Sequence, residues 1–255
     1  MESIADQYLN EMHDEFHYFA TWAPTETYHI GDILEKRGKN EYEYRSNLTR
    51  IGVDFEVLPD EAKHNFHYQS VGNVSISQKV TGKVMAGIKG LDIGDAGLVV
   101  QFNKEKAIAF EAAGVQHQKI ADLNRLEKDL ILKKKSGDWE SDWVVVTDLM
   151  IADSGTVLIS QGKGGTIELR AKADVPNLSL ANIDAKFESA YSENMNTQII
   201  ATRGLTPLFK ISQLSSGVFF PPGLKITKGS PRPSEKLEIS HSLLEVKFEK
   251  QPLYF

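Results

Sequence analysis

The chain of 255 residues contains no cysteine. Disulfide bonds, thiolate catalysis and cysteine-ligated metals are therefore excluded. It also has no apolar run of the roughly 18 residues that a membrane-spanning helix requires, and its first residues do not form a basic stretch followed by an apolar one. The sequence accordingly predicts a protein that is made in soluble form in the cytoplasm.

The sequence also lacks the short motifs that mark common enzyme families. No Gly-x-Ser-x-Gly elbow, protein-kinase motif or dinucleotide-binding fingerprint is present. The glycine run at residues 162–165 has no Lys-Ser or Lys-Thr pair and lies between predicted strands, so it does not match a phosphate-binding loop. The acidic residues Asp138, Glu140 and Asp142 lie beside two tryptophans in a predicted turn. We therefore expect a non-enzymatic protein without a cofactor or a bound metal.

A strongly basic surface is missing as well. The net charge is −6, and residues 1–70 carry 14 acidic and 6 basic side chains, a balance of −8. The remaining residues carry 21 acidic and 23 basic side chains, a balance of +2. Nucleic acid is therefore not an expected partner. The modestly basic second part could still contact anionic lipid, at about 1 kcal/mol for each well-placed Lys or Arg.

The composition is that of an ordinary globular protein, with 41% hydrophobic and 25% charged residues. Helical and strand-like segments are mixed along the chain, which predicts one α+β domain over about residues 1–227. A polar, proline-containing stretch from Lys228 through Arg232 to Lys236 is predicted to be a linker open to proteases. Residues 237–255 form a tail in which Leu237 to Phe248 alternates like a terminal strand.

The first segment, Ser3 to Ala20, is predicted to be an amphipathic helix with Ser3 as its N-cap. It contains His13 and His17, whose four-residue spacing places both imidazoles on one helical face, as a metal pair requires. The zinc-protease pattern needs Glu directly after the first His, and Asp14 stands there instead. Exposed helix histidines are the alternative interpretation.

Two long stretches alternate between apolar and polar residues. The first runs from Val74 to Ile88, and the second from Thr156 to Tyr191. Since successive side chains of a strand point to opposite faces, each stretch predicts strands with one apolar and one polar face. The apolar positions are Val74, Ile76, Val80, Val84 and Ile88 in the first stretch, and Val157, Ile159, Ile167, Leu169, Val175, Ile183 and Phe187 in the second. The opposite face of the first stretch carries hydroxyls and Lys79, Lys83 and Lys89.

Such stretches fit half-buried antiparallel strands on a soluble core, and they also fit hairpins that line a membrane pore. Their length, and the presence of two of them, favour the membrane interpretation. The first is expected to turn within residues 82–94 and the second at residues 162–165, where glycines concentrate.

Between the two stretches, Lys119 to Lys135 is predicted to be a helix with Gly137 at its end. Lys133, Lys134 and Lys135 suit the negative end of its dipole, and they could instead contact phosphate head groups. Trp143 to Met150 is almost continuously apolar, which predicts a central strand buried on both faces.

The order of these segments resembles the pore-forming domain of gasdermins, in particular the short microbial members. The resemblance covers about residues 70–215, since the motifs that carry it fall there. They are an amphipathic region with glycines (Val74–Gly97), paired strands (Leu98–Phe102 and Ala107–Phe110), a helix (Lys119–Lys135), a core strand (Trp143–Leu149), a second amphipathic region (Thr156–Phe187) and a closing segment (Thr206–Ile211).

The resemblance implies a twisted, mostly antiparallel sheet with flanking helices, which stays soluble until it is activated. The two amphipathic regions would then insert into membrane lipids, with their apolar positions facing lipid, and join other copies of the chain in an oligomeric β-barrel. Lys79, Lys83, Lys89 and Lys133 to Lys135 would meet anionic head groups. The tail would restrain the domain until a protease cuts near Lys228, Arg232 or Lys236, and the protein would serve cell death or antiviral defence.

Two alternatives stay open at this point. A non-catalytic immunity or regulatory module would use the same sheet to bind a protein partner. A metal-dependent hydrolase would be built on His13 and His17.

Overall fold

The computed structural model describes residues 3–79, 96–173, 178–218 and 239–249. Within them the chain is mostly antiparallel β-sheet with two α-helices, so the predicted α+β class is confirmed. The helices are α1 (Ile4–Phe16) and α2 (Leu123–Ser136), with short 3-10 turns η1 (Leu48–Ile51) and η2 (Ile183–Ala185). The strands are β1 (Phe19–Ala20), β2 (Asp32–Lys36), β3 (Tyr42–Asn47), β4 (Val57–Pro59), β5 (His64–Gln69), β6 (Val74–Lys79), β7 (Gly97–Phe102), β8 (Ile108–Ile120), β9 (Trp143–Ser160), β10 (Gly165–Arg170), β11 (Glu188–Glu193), β12 (Met195–Val218) and β13 (Ile239–Glu245).

The strands form two sheets. The large sheet contains nine strands, with β1, β12, β9, β2 and β3 side by side, β13 beside β12, and β8 joining β9 to β4 and β5. The small sheet contains β11, β10, β7 and β6 in that order. Every pairing among the described strands is antiparallel.

Helix α1 covers one face of the large sheet. Ser3 caps it, because the Ser3 hydroxyl accepts from the Asp6 N–H while the Asp6 carboxylate accepts from the Ser3 N–H. Tyr8 and Met12 are buried against Phe110 and Val157. The predicted end at Ala20 is wrong. The helix ends at Phe16 because His17 takes a left-handed conformation, and the following residues pair with β12 as β1.

Helix α2 begins later than predicted. Asp122 caps it by accepting from the Arg125 N–H at 2.9 Å, whereas Lys119 and Ile120 still belong to β8. Its C-terminal end agrees with the prediction, since Gly137 has φ +83° and donates its N–H to the carbonyls of Lys133 and Lys134.

The predicted hairpin with its turn at residues 162–165 is wrong in its pairing. Strand β9 runs without interruption from the central apolar strand into this region and pairs with β12, β8 and β2 of the large sheet. Strand β10 instead pairs with β7 and β11 of the small sheet. The chain therefore changes sheets at the glycine-rich turn. The predicted pairing of β7 with β8 is also wrong, since β7 lies in the small sheet and β8 in the large sheet.

Two further expectations about the second amphipathic stretch are corrected. The hydroxyls of Thr156 and Ser160 were expected to face water, but both residues are fully buried because β9 lies between neighbouring strands with both faces covered. Their hydroxyls donate to the carbonyls of Leu180 and Lys104. Residues 183–185 form the η2 turn rather than a strand, with the Asn182 side chain accepting from the Asp184 and Ala185 N–H groups.

Candidate functional site

The small sheet brings parts of both amphipathic stretches together. Strand β6 from the first stretch pairs with β7, and β7 pairs with β10 from the second. Ile76, Val100 and Ile167 lie side by side across three strands, and Leu98 lies opposite Leu169. Val74 and Phe187 also pack against this apolar cluster. Four predicted insertion positions thus share one face of the small sheet, namely Val74, Ile76, Ile167 and Leu169, and Phe187 packs against it from outside the strands.

The opposite face of the small sheet is only partly open to water, since Ser75 and Gln101 are exposed there whereas other residues are buried. Lys79 was expected on an exposed lysine face, but it is only 3% exposed, so this expectation is wrong for the structure described here. Val99 and Glu168 point to the same side of the sheet and are also buried. Alternation sets the side of the strand on which a residue lies, and it does not set whether that side is covered.

The remaining insertion candidates lie elsewhere. Val157 and Ile159 are fully buried in the large sheet, in the cluster beneath α1. Ile183 is half-buried in η2. Val80, Val84, Ile88, Val175, Lys83, Lys89, Lys228, Arg232 and Lys236 lie outside the described residues.

The three lysines Lys133, Lys134 and Lys135 form the last turn of α2. Lys135 is exposed and the other two are half-buried. No ion pair is formed by any of them within the described parts of the chain, so their charges balance the helix dipole and face outward.

The C-terminal strand β13 is attached to the body by a continuous ladder. It pairs with β12 from Ser212↔Glu245 to Val218↔Ile239. The Leu243 N–H donates to the Glu127 carboxylate of α2 at 2.7 Å, and the Val246 N–H donates to the Ile211 carbonyl at 2.9 Å. The tail therefore contacts both the large sheet and α2.

Beyond β13 the tail reaches α1 and the β2–β3 turn. The Phe248 ring stacks on the His13 imidazole with 4.2 Å between ring centroids, and it lies 5.4 Å from the Phe19 ring. The Lys36 ammonium donates to the Glu249 carboxylate at 2.8 Å. The Glu249 backbone N–H donates to the side-chain carbonyl of Asn40, and the Glu249 backbone carbonyl accepts from the Asn40 side-chain amide. The Lys36 hydrogen bond and charge lower the pKa of the Glu249 carboxyl.

The histidine pair does not have the geometry of a metal site. His13 stacks on Phe248, and its Nδ1 lies 3.1 Å from the Tyr18 carbonyl, to which it donates. His17 lies past the end of the helix in the left-handed region. Among the described residues no group of three His, Asp or Glu side chains could hold a metal ion.

A polar network that the sequence did not reveal joins five segments beside the tail. His117 on β8 contacts Asp148 of β9 at 2.6 Å and Asp60 at 3.3 Å. Burial, followed by the charge and hydrogen bond of Asp148, raises the pKa of Tyr18 well above its usual value. The Lys210 ammonium lies 5.0 Å from the centre of the Tyr18 ring and pairs with Glu245 of β13 at 3.4 Å.

Helix α1 is also held to the end of β5. The Glu11 carboxylate accepts from the Tyr68 hydroxyl at 2.8 Å and from the Ser70 hydroxyl at 2.7 Å. The Ser70 hydroxyl also accepts from the Ile108 N–H at 2.9 Å. These hydrogen bonds join residues that lie far apart in the sequence and share no local motif. No sequence pattern could therefore have indicated them.

Two comparisons with known proteins found no match. No protein-family model matches the chain, and no curated protein matches it. Neither helix in the described ranges is long or apolar enough to cross a bilayer.

Proposed function

We propose that the protein is a membrane pore-former of the gasdermin type, with a gasdermin-like fold. It stays soluble in the cytoplasm until activation and then moves to a membrane, where copies of the chain oligomerise and permeabilise it in cell death or defence. Its partners are anionic membrane lipids, other copies of itself and an activating protease.

One observation carries the proposal. Both amphipathic stretches contribute strands to the same small sheet, where β7 lies between β6 of the first stretch and β10 of the second. The two outer strands of that sheet, β6 and β11, have no second strand partner among the described residues. A four-stranded unit with two open edges can extend by pairing with further copies, and this is how a closed oligomer satisfies its backbone groups in lipid.

The apolar face of the small sheet suits this change of surroundings. Ile76, Ile167 and Leu169 now pack against residues of the large sheet such as Leu158. On insertion the same side chains would face lipid tails, which are equally apolar. Lys79 and Glu168 would leave their buried positions for the aqueous side.

The attached tail supports a restrained resting state. Strand β13 covers the edge of β12, and Phe248 and Glu249 fasten α1 and the β2–β3 turn to it. A chain cut between Lys228 and Lys236 would hold this tail only by non-covalent contacts, and its release would free α1 and α2 together.

The test is dye release from liposomes that contain anionic lipid, with intact protein compared with protein cut within residues 228–236. Release after cutting only is the expected result. Release by intact protein would contradict a restraining role of the tail but would still support pore formation. If neither form releases dye across several lipid mixtures, the pore is wrong, and the non-catalytic binding module becomes the better interpretation.

A further inference from the structure

A cleft on the face of the β2–β3 hairpin belongs to neither the small sheet nor the tail. We call it the tyrosine cleft, and it has a volume of about 840 Å³. This lies in the range of roughly 300–1,000 Å³ that is usual for ligand sites. The residues that line it include Glu26, Tyr28, Asp32, Tyr42, Tyr44 and Arg50.

A buried carboxylate that pairs with no described Lys or Arg forms part of this cleft. Asp32 is 4% exposed, and its two oxygens accept from the His29 N–H at 2.7 Å and from the Asn47 side-chain amide at 2.9 Å. Both donors are neutral. The His29 imidazole is 3.6 Å away and mostly exposed, and no Lys or Arg of the described residues pairs with Asp32. A buried charge without a counter-charge is costly, so the cleft favours an incoming cation.

The rest of the lining adds to this preference. Glu26 is exposed and forms no ion pair with a described Lys or Arg, while Glu43 is already paired with Arg37 and Arg45. Tyrosine rings attract cations through their faces, and three tyrosines line the cleft. The one arginine in the lining, Arg50, forms no ion pair with these carboxylates in the described parts of the chain.

The backbone beside the cleft suits an extended peptide. Strand β3, which supplies Tyr42 and Tyr44, is the edge strand of the large sheet and pairs only with β2 among the described strands. An exposed edge offers unpaired N–H and carbonyl groups to an added strand.

We infer that the tyrosine cleft is a binding site for a basic, extended peptide segment of a partner protein. An arginine or lysine side chain of that segment enters between the tyrosines toward Asp32 and Glu26, and its backbone adds to the β3 edge. This site goes beyond the pore-forming proposal and does not depend on it, because the binding requires no membrane.

The test measures fluorescence anisotropy of a labelled octapeptide of alternating arginine and threonine, with full-length protein. A glutamate–threonine octapeptide is the control probe. Saturable binding of the arginine peptide alone, weakened by salt, is expected. Glu26→Gln should weaken binding several-fold and Tyr44→Leu about three-fold, whereas Glu61→Gln, an exposed carboxylate outside the cleft, should leave it unchanged.

Three results would overturn the inference. They are equal binding of the acidic and basic peptides, no binding of the arginine peptide, and an equal response to Glu26→Gln and Glu61→Gln. Choline serves as a competitor that represents a lipid head group. Displacement of the peptide by free choline at a concentration where free arginine has no effect would assign the cleft to lipid and contradict a peptide partner.

Discussion

Gly114 on β8 shows how closely the packing depends on single positions. Its φ is +62°, and a Cβ at this position would lie 2.7 Å from the Asp153 carboxylate carbon. Asp153 forms an exposed ion pair with Lys63, whose ammonium lies 2.7 and 2.8 Å from the two carboxylate oxygens. The left-handed backbone conformation therefore requires glycine, whereas the exposed Asp153 side chain can move aside from an added Cβ.

We predict that Gly114→Ala lowers the free energy of unfolding by about 1–3 kcal/mol, the usual cost of a strained left-handed residue. For a chain of this size, each kcal/mol lost from the free energy of unfolding lowers the Tm by roughly 2–4 °C. Thermal unfolding followed by circular dichroism measures it. Gly162→Ala is the matched control, since nothing lies within 4 Å of its Cβ position. Equal midpoints for the two variants would refute this account of Gly114.

Tyr8 carries an uncompensated polar group inside the core. It is 1% exposed, and its hydroxyl has no hydrogen-bond partner in the described structure. Burial raises the pKa of this hydroxyl well above its usual value. An unsatisfied buried group costs about 1–3 kcal/mol, so α1 is held less tightly than its apolar contacts alone would allow.

Tyr8→Phe should therefore raise the thermal midpoint by a few degrees, since it removes the hydroxyl and keeps the ring. Tyr68→Phe is the opposite case, because it removes a 2.8 Å hydrogen bond to Glu11 and should lower the midpoint. Scanning calorimetry of the two variants beside the unchanged protein decides the question. A loss of stability in Tyr8→Phe would mean that its hydroxyl has a partner.

At the scale of elements, periodicity predicted where strands occur better than which faces they expose. Ile76, Ile167 and Leu169 are on the apolar side as their parity indicated. Thr156, Ser160 and Glu168 have polar parity and are nevertheless buried. A two-residue period identifies the two sides of a strand, but only tertiary packing decides whether a layer covers the polar side.

Helix α2 illustrates the same limit at an element boundary. The apolar spacing of the helix includes Ile120 and therefore predicts it as a helical residue, but it is the last residue of β8. Asp122, a good N-cap residue, was the local signal for the true start. The contacts of Glu11 and His117 had no such signal, since their partners lie far away in the sequence.

The C-terminal element packs against the body through the Phe248 ring, in addition to the ladder of β13. We predict that Phe248→Ala increases hydrogen exchange of the β13 amides several-fold, since full burial of a Phe ring contributes about 1.5–3 kcal/mol and the Phe248 side chain is half-buried. The reason is the loss of its packing on His13 and Phe19. Leu244→Ala on the same tail is the control, because Leu244 is 54% exposed. Similar exchange in both variants would show that the Phe248 packing does not hold the tail.

At the scale of the whole molecule, local pattern could not have predicted the topology. Two pairs of consecutive strands lie in different sheets, namely β7 with β8 and β9 with β10. The assumption that consecutive strands form hairpins therefore fails at the charged turn of the first pair and at the glycine-rich turn of the second. What the chain order did indicate is the pair of amphipathic regions. Their meeting in the small sheet is a tertiary fact on which the proposed oligomerisation rests.

The most direct test of a pore restrained by its tail uses the absence of cysteine. Ser215 and Ser242 are exposed register partners on β12 and β13. Antiparallel partners have Cα atoms about 4.5–5.5 Å apart, which suits a disulfide. A Ser215→Cys, Ser242→Cys variant, cut between Lys228 and Lys236, therefore holds its tail by one reducible bond.

The measurement is dye release from anionic liposomes by this cut variant before and after a reductant is added. The account predicts no release while the disulfide is intact and rapid release once it is reduced. Release from the oxidised form would contradict restraint by the tail, and the absence of release after reduction would contradict the pore itself.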